Sequence, residues 1–264
     1  MKRILLLILS MILLCGCGQI KNANIPHTPA LTQPTPTETT APPVPVHRIA
    51  KETIIDGNVT CTGVYNYNEL GQLMGIVRTY DESGKPYNHE VFAYDEGGNM
   101  TLHETWFTDE LLDTRYDYEY DAQNRITVGY DKVVDDNIWC RYEYCYDAAG
   151  KLEKRIVRNR MLTDDSVIGQ QLYTYTAEGL LSRMEYYDVE QTLLQTEDYT
   201  YNEKGQLTQK VTATFNTEFD TVHTENYYYD GQGYLVTYTK ESQSEDLSYA
   251  KVKYSYIYED VIID

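Results

Sequence analysis

The chain has 264 residues, enough for one large domain or two average ones, and its formal net charge is −19. Its aromatic residues are mainly tyrosine, with 27 Tyr against 4 Phe and 2 Trp. This acidic balance argues against binding to nucleic acid, whose phosphates require a basic surface, and against attachment to anionic lipid by charge. We therefore expect no nucleic-acid partner.

Residues 1–16 have the pattern of a secretory signal peptide. Lys2 and Arg3 precede an apolar run that is too short for an ordinary spanning helix. The string "LCGC" at 14–17 then resembles the lipobox of bacterial lipoproteins, although Cys15 stands where a small residue such as Ala is commoner. The resemblance implies cleavage before Cys17 and lipidation of its thiol. We expect an exported protein, anchored to the lipid bilayer of the cell membrane through the acylated cysteine and facing the extracytoplasmic side; the alternative is a plainly secreted protein.

Residues 17–48 are predicted to form a stalk behind the lipidated cysteine. Seven of the eight prolines lie between Pro26 and Pro45, interleaved with threonine and without apolar periodicity. Such a composition cannot bury a core and favours an extended polyproline-II chain. At about 3.1 Å per residue, thirty such residues would hold a domain up to roughly 90 Å from the membrane.

From residue 65 onward, the string Tyr-x-Tyr-Asp/Asn-x-x-Gly-x-Leu recurs. The copies are "YNYNELGQL" (65–73), "FAYDEGGNM" (92–100), "YEYDAQNRI" (118–126), "YCYDAAGKL" (144–152), "YTYTAEGLL" (173–181), "YTYNEKGQL" (199–207) and "YYYDGQGYL" (227–235). Their second aromatic residues are 26 to 29 positions apart, and "YSYIYED" at 254–260 starts an eighth copy. A regular period of this size indicates a repeat array.

Each copy is predicted to form a strand, a turn and a second strand. Alternate tyrosines lie on one face because side chains alternate along a strand. Asp or Asn at the first turn position and Gly at the fourth suit a type I turn that ends in a left-handed residue, and Asn124 replaces Gly in the third copy. The expected structural turn residues are Asn68, Gly71, Asp95, Gly98, Asp121, Asn124, Asp147, Gly150, Gly179, Asn202, Gly205, Asp230 and Gly233.

Weaker turns lie halfway between copies, at 80–85, 187–191 and 215–220, which gives about fifteen strands between Val59 and Tyr258. The predicted fold is all-β: tandem antiparallel β-hairpin repeats over 49–264 that form one long curled meander sheet, with the tyrosine and leucine side inward. In 207–215 this places Leu207, Val211 and Phe215 inward. An outer-membrane barrel is a competing interpretation, but its lipid-facing side would be unusually rich in tyrosine.

The Tyr-Asp…Gly…Leu strings, such as "YCYDAAGKL" and "YTYNEKGQL", resemble the YD repeats of Rhs type found in bacterial surface and toxin-delivery proteins. The resemblance spans about residues 60–260, although Thr176 stands where Asp belongs. It implies antiparallel sheets that coil into shells, with structural or adhesive roles and no catalysis of their own. We expect no toxin domain, because the sequence ends inside a repeat. The repeats are few for a closed shell, and the sequence alone does not decide whether the sheet closes.

The sequence shows no catalytic motif and no metal-ligand spacing among its five histidines, so we expect no enzymatic activity, no cofactor and no metal. Cys61, Cys140 and Cys145 are expected to be free thiols, the last two on opposite faces of one strand. By alternation, Trp106 should face inward and Trp139 should face solvent beside Arg141 and Glu143. An exposed indole suits stacking on a sugar ring, whereas a Trp at a strand end can also simply cap the sheet edge or turn inward at a bulge.

These patterns predict a membrane-anchored, surface-exposed, non-enzymatic β-repeat lipoprotein with a structural or adhesive role at the cell envelope. Its partner would be a cell-wall glycan or an extracellular protein. One alternative is a carbohydrate-binding lipoprotein that uses Trp139 and other exposed aromatic residues. A second alternative is a glycoside hydrolase with a carboxylate pair, which so acidic a chain could supply in many places.

Overall fold

The computed structural model describes residues 46–108, 111–133, 138–159, 165–215, 220–244 and 250–261. The predicted signal peptide, Cys17 and nearly all of the predicted stalk lie outside these residues. The described residues form sixteen β-strands, and none of them lies in a helix that could cross a membrane.

The strands follow one another through short connections. In chain order they are β1 (Val46–Asp56), β2 (Val59–Tyr67), β3 (Leu73–Tyr80), β4 (Pro86–Tyr94), β5 (Met100–Thr108), β6 (Leu111–Tyr120), β7 (Ile126–Val133), β8 (Ile138–Tyr146), β9 (Leu152–Asn159), β10 (Val167–Tyr175), β11 (Leu181–Asp188), β12 (Leu193–Tyr201), β13 (Leu207–Thr214), β14 (Thr221–Tyr229), β15 (Leu235–Ser244) and β16 (Ala250–Val261).

Each strand pairs antiparallel with its neighbours in the chain, and β1 pairs with β16, so the sheet closes into a barrel. The all-β antiparallel prediction is confirmed, but the sheet is a closed barrel and not an open curled meander. The sequence alone leaves the closure of the sheet undecided. Closure depends on β1, which begins at Val46, three residues before the predicted domain boundary. This strand was not predicted from the sequence, because it carries no tyrosine motif. Closing the sheet leaves no edge strand open to unwanted pairing.

A β-bulge follows every one of the seven repeat turns. In the first copy Tyr67 pairs with Leu73 while Asn66 pairs with Gly75, so Met74 is the additional residue. The same shift recurs at Tyr94, Tyr120, Tyr146, Tyr175, Tyr201 and Tyr229. Because side chains alternate along a strand, one additional residue reverses the face that the rest of the returning strand presents inward.

The bulges overturn two predictions about facing. In β13 the buried residues are Lys210, Thr212 and Thr214, whereas Phe215 is 38% exposed, so the expected inward facing of Val211 and Phe215 was wrong. Leu207, which precedes the bulge, packs against the inner cluster around Tyr227, as predicted. Trp106 pairs with His89, so the two side chains lie on the same face of the sheet. Glu90, the residue after His89, points to the inner face, where it contacts the buried His103. His89 and Trp106 therefore lie on the outer face. The prediction of an inward Trp106 was therefore also wrong.

The inner face of the barrel combines tyrosines with charged and amide side chains. Two apolar clusters form around Tyr142 and Tyr186 and around Tyr227 and Tyr238. Between and beside them the inner face buries polar residues, among them Glu52, Arg78, Asp131, Gln171, Gln195, Lys210 and Glu225. Buried charges need partners.

Candidate binding sites on the barrel

The seven repeat turns lie at one end of the barrel, the same end at which β1 begins at Val46; we call this the proximal end. In the turn after β8 the Asp147 carboxylate accepts hydrogen bonds from the backbone N–H groups of Ala149 and Lys151, at 2.9 and 2.8 Å. Gly150 takes a φ of 80°, and Asn124 takes 59° at the same position of the third copy. The corresponding glycines with positive φ are Gly71, Gly98, Gly179, Gly205 and Gly233.

The first turn residues form the same kind of bond in the other copies. Asn68, Asp95, Asp121, Asn202 and Asp230 each accept from the backbone N–H four residues later, at 2.8 to 3.0 Å. The hydroxyl of Thr176 does so at 3.3 Å. These side chains shape the turns by bonding to their own backbone, and we assign them a structural role.

A ring of tyrosines lies just inside the proximal end. The second tyrosine of each copy donates a hydrogen bond to a backbone carbonyl of the preceding hairpin, as Tyr94 does to Leu73 at 3.0 Å. Leu73 lies beyond the last residue of β3 that pairs with β4, so its carbonyl has no ladder partner on that side. The equivalent donors are Tyr67, Tyr120, Tyr146, Tyr175, Tyr201, Tyr229 and Tyr258.

A buried ionic network joins β1, β3, β4 and β5 on the inner face. The Arg78 guanidinium contacts Glu52 and Glu90, each at 2.5 Å, and Glu90 also contacts His103 at 2.7 Å. Burial opposes ionisation of Glu90, but its hydrogen bond to His103 and the charge of Arg78 outweigh burial and lower its pKa to about 2. Glu52 occupies the space above Gly63, where an added Cβ would lie 2.6 Å from the Glu52 carboxylate.

Two further polar contacts join strands on the other side of the inner face. Lys210 and Glu225 form an ion pair at 3.0 Å between β13 and β14. The Arg155 guanidinium donates to Gln171 at 2.5 Å and lies 4.3 Å from the centre of the Tyr142 ring. Through these contacts, inward-facing charged side chains link neighbouring strands.

Cys61, Cys140 and Cys145, the cysteines among the described residues, are free thiols, as predicted; Cys61 and Cys140 are buried, and Cys145 is partly exposed. Burial, followed by the nearby charge of Asp131, raises the pKa of Cys140 to about 12, which makes it a poor nucleophile at neutral pH. Within the described ranges no three His, Cys, Asp or Glu side chains come together in a way that could hold a metal ion.

Trp139 lies on the outer face, opposite the buried Cys140, and is 37% exposed. Arg141 and Glu143 follow on the same face and form an ion pair at 2.8 Å, which agrees with the predicted facing. The Lys132 ammonium lies 4.6 Å from the centre of the indole ring and covers one of its faces. A sugar could therefore stack only on the other face.

A row of apolar and aromatic side chains crosses the outer face in register. It consists of Ile257, Val64, Val77, His89 and Trp106, with Lys51 between the first two, and we call it the outer apolar row. Ile257, Val64 and Val77 are 58%, 49% and 48% exposed. The rings of His89 and Trp106 stack with centroids 5.8 Å apart and planes 7° apart. The row could not be predicted from the sequence, because the bulges reverse the faces of the returning strands.

The outer face elsewhere carries ion pairs on the strands themselves. Arg183 contacts Asp198 at 2.6 Å and Glu185 at 3.0 Å on β11 and β12. Arg115 contacts Glu104 at 3.0 Å on β5 and β6. Charged groups therefore stand at mid-strand on much of the outer wall.

Two adjoining cavities lie at the opposite end of the barrel, which we call the distal end. The inner cavity, of about 160 Å³, is lined by Ile54, Asp56, Val59, Cys61, Tyr80 and Tyr87. The outer cavity, of about 480 Å³, shares Val59 and Tyr80 and adds Asn58, Thr60, Asp81, Glu82 and Ser83. We call the two together the distal pocket.

No family model matches the chain, and no curated protein matches it. Among solved structures, the chain is similar to a porin-like protein from Bacteroides uniformis, with 14% sequence identity over 80% of this chain and 98% of that one, and a TM-score of 0.48. It is also similar to TcdB2-TccC3 without its hypervariable C-terminal region, with 14% identity, a TM-score of 0.33, and coverage of 70% of this chain but 11% of that one.

Proposed function

We propose that the protein is an exported, lipid-anchored barrel of the YD-repeat type that binds a partner protein on its outer wall and has no enzymatic activity. The signal-like first 16 residues, Cys17 and the proline-rich segment support the anchor. The repeats at 65–260 support the relationship to YD repeats. The observation that carries the binding role is the outer apolar row.

The outer apolar row has the composition of a protein interface rather than of an ordinary solvated wall. Large contiguous apolar patches on soluble proteins mark interaction sites, and interface centres are enriched in aromatic residues. Here Val64, Val77 and Ile257 are all exposed beside a stacked His89–Trp106 pair. Because the chain carries a net charge of −19, we expect the partner to present an apolar centre surrounded by basic groups.

The outer ion pairs disfavour the competing interpretation of a membrane-spanning barrel. Arg183 and Arg115 would stand on the lipid-facing side of such a barrel, with Asp198 and Glu104. A charged side chain facing lipid near mid-membrane costs about 2 to 4 kcal/mol. These ion pairs support a barrel that stands outside the bilayer and is joined to it at the proximal end, where Val46 follows the proline-rich segment.

The test is site-specific photo-crosslinking on intact cells that display the protein. A photo-reactive leucine analogue at Val77, in the outer apolar row, is compared with the same analogue at Val222, which is similarly exposed on β14. We expect one basic protein to be crosslinked from Val77 and not from Val222, and the adduct to disappear when Val64→Asp is added. Equal labelling from both positions, or an adduct that survives Val64→Asp, would argue against the proposal.

Glycan binding is the second candidate, and the exposure of Trp139 favours it. The test follows tryptophan fluorescence of the protein while cell-wall and host glycans are titrated, with Trp139→Ala for comparison. A saturable shift that Trp139→Ala abolishes would support a glycan site on the outer face. The hydrolase alternative stays a prediction from the sequence.

A further inference from the structure

We propose that the distal pocket binds an organic ammonium group carried on a short apolar stem. The site is separate from the outer apolar row, so it does not depend on the partner proposed above.

The inner cavity is shaped to take an apolar stem with an aromatic contact. Ile54, Val59 and Cys61 form its apolar wall. Tyr80 and Tyr87 form two further sides, with ring centroids 5.1 Å apart and planes inclined by 66°. The two rings contact each other edge to face, so an ammonium group would lie against a ring face that this contact leaves open, where the attraction of the ring electrons is strongest if water is excluded.

The charges at the pocket are acidic. Asp56 lines the inner cavity, and Asp81 and Glu82 line the outer one. None of the salt bridges between described residues involves these three carboxylates. Lys85 belongs to the same hairpin turn but lines neither cavity, and the nearby Arg78 is held by Glu52 and Glu90. An incoming cation would therefore meet carboxylates that are not already paired.

The carboxylates affect the pKa values of two side chains in the buried wall of the pocket. Burial first, and then the charge of Asp81, raises the pKa of the Cys61 thiol. Burial also raises the pKa of the Tyr87 hydroxyl, and the charge of Asp56 adds to that shift. Burial disfavours a charge of either sign, so only the contributions of Asp81 and Asp56 to these shifts favour a positive group in the cavity.

The turn that carries the carboxylates is held by backbone bonds. The N–H of Asp81 donates to the Thr60 carbonyl at 2.9 Å, and the N–H of Gly84 donates to the Tyr80 carbonyl at 2.8 Å. The pocket is thus built between two hairpins tied to each other. It lies at the barrel end away from Val46, so a stalk attached at Val46 would present it outward.

The experiment is calorimetric titration of the mature chain, in detergent, with matched charged and neutral probes. The charged probes are n-butylammonium and choline, and their neutral counterparts of similar shape are n-butanol and 3,3-dimethylbutan-1-ol. We expect each charged probe to bind about tenfold more tightly than its counterpart. Tighter binding of n-butylammonium would identify a primary amine as the natural group, and tighter binding of choline would identify a quaternary one.

Variants separate the contribution of the carboxylate charges to binding from the contribution of the shape of the pocket. Asp56→Asn combined with Asp81→Asn should weaken the charged probes about tenfold and leave the neutral ones unchanged, whereas Tyr87→Leu should weaken both. Glu96→Gln, at an exposed carboxylate of the proximal end, measures the effect of removing one negative charge far from the pocket, and is compared with Asp56→Asn and Asp81→Asn taken singly. Unchanged urea midpoints establish that the variants fold. Equal binding of charged and neutral probes, or an equal effect of Glu96→Gln, would overturn the proposal.

Discussion

Hydroxyl groups, rather than aromatic rings alone, explain why tyrosine outnumbers phenylalanine in this chain. The second tyrosine of each copy uses its hydroxyl to bond a backbone carbonyl that the β-ladder leaves without a partner, as Tyr201 does with Leu181 at 2.8 Å. Phenylalanine would fill the same space but leave that carbonyl unsatisfied. The repeat therefore requires tyrosine for a hydrogen-bonding reason.

Replacing Tyr201 with phenylalanine should destabilise the barrel by about 1 kcal/mol, because the Leu181 carbonyl loses its donor. The measurement is the urea-unfolding midpoint. Tyr228→Phe is the matched control, since Tyr228 is 52% exposed on the outer face, and it should change stability by less than about 0.5 kcal/mol. Equal effects of the two substitutions would contradict the assigned role of the hydroxyl.

Gly63 is required for space rather than for backbone freedom. An added Cβ would lie 2.6 Å from the Glu52 carboxylate and would push it away from Arg78. Gly63→Ala should therefore cost about 1 to 3 kcal/mol of unfolding free energy. Gly231→Ala, where an added Cβ meets nothing within 4 Å, should cost much less. A Gly63→Ala protein as stable as the Gly231→Ala protein would show that Glu52 can move without loss.

At the scale of the element, the repeat turns could be predicted from the sequence, while the facing of the returning strands could not. Asp147, Gly150 and Asn124 follow local turn chemistry, which depends on residues only a few positions apart. The bulge after each turn is set by pairing with another strand and leaves no separate signal in the string. Because of the bulges, Trp106 faces outward and Lys210 faces inward, contrary to the alternation expected from the sequence. The tyrosine and leucine side does face inward, as the clusters around Tyr186 and Tyr227 show, but it shares the inner face with buried charges.

The inner ionic network joins its strands through Arg78, and its loss should be costly. Arg78→Met leaves the buried Glu52 and Glu90 without their shared cation, so we expect a loss of about 3 to 5 kcal/mol. Arg183→Met removes an equally connected arginine from the outer wall, where water screens its partners, and should cost less than about 1 kcal/mol. Urea unfolding of both variants gives the comparison. Similar losses of stability for the two variants would mean that the Arg78 network is far more exposed to solvent than the structure shows.

At the scale of the whole molecule, closure makes the proximal tyrosine ring continuous. Tyr258 of β16 bonds to Leu235 on one side, and Tyr67 of β2 bonds to Ile49 of β1 on the other. The sequence contained both tyrosines but gave no sign of the partner strand, since β1 lacks the repeat motif. Pairing between chain ends is a property of the whole sheet, and a local pattern does not determine it.

The tyrosine ring predicts that the barrel loses stability at alkaline pH. Burial raises the pKa values of Tyr67, Tyr120, Tyr146 and Tyr258 to about 12, against about 10 in an unfolded chain. Between these values the unfolded state releases protons that the folded state keeps, so stability falls as pH rises from about 10 to 12. Urea midpoints measured across this range should show the fall. Tyr120→Phe should make the dependence shallower, and a flat profile would contradict the buried ring.

Closure of the sheet between β1 and β16 is the central claim, and one disulfide tests it directly. Thr53 and Ser255 are paired across this seam, and paired antiparallel residues come close enough for a disulfide bond. We predict that Thr53→Cys with Ser255→Cys forms a bond on mild oxidation of the folded protein, identified by peptide mass mapping. Thr53→Cys with Ser242→Cys, whose partner in β16 is the distant Ala250, should form none. Failure of the first pair to form a bond while the protein remains folded would show that the sheet is open.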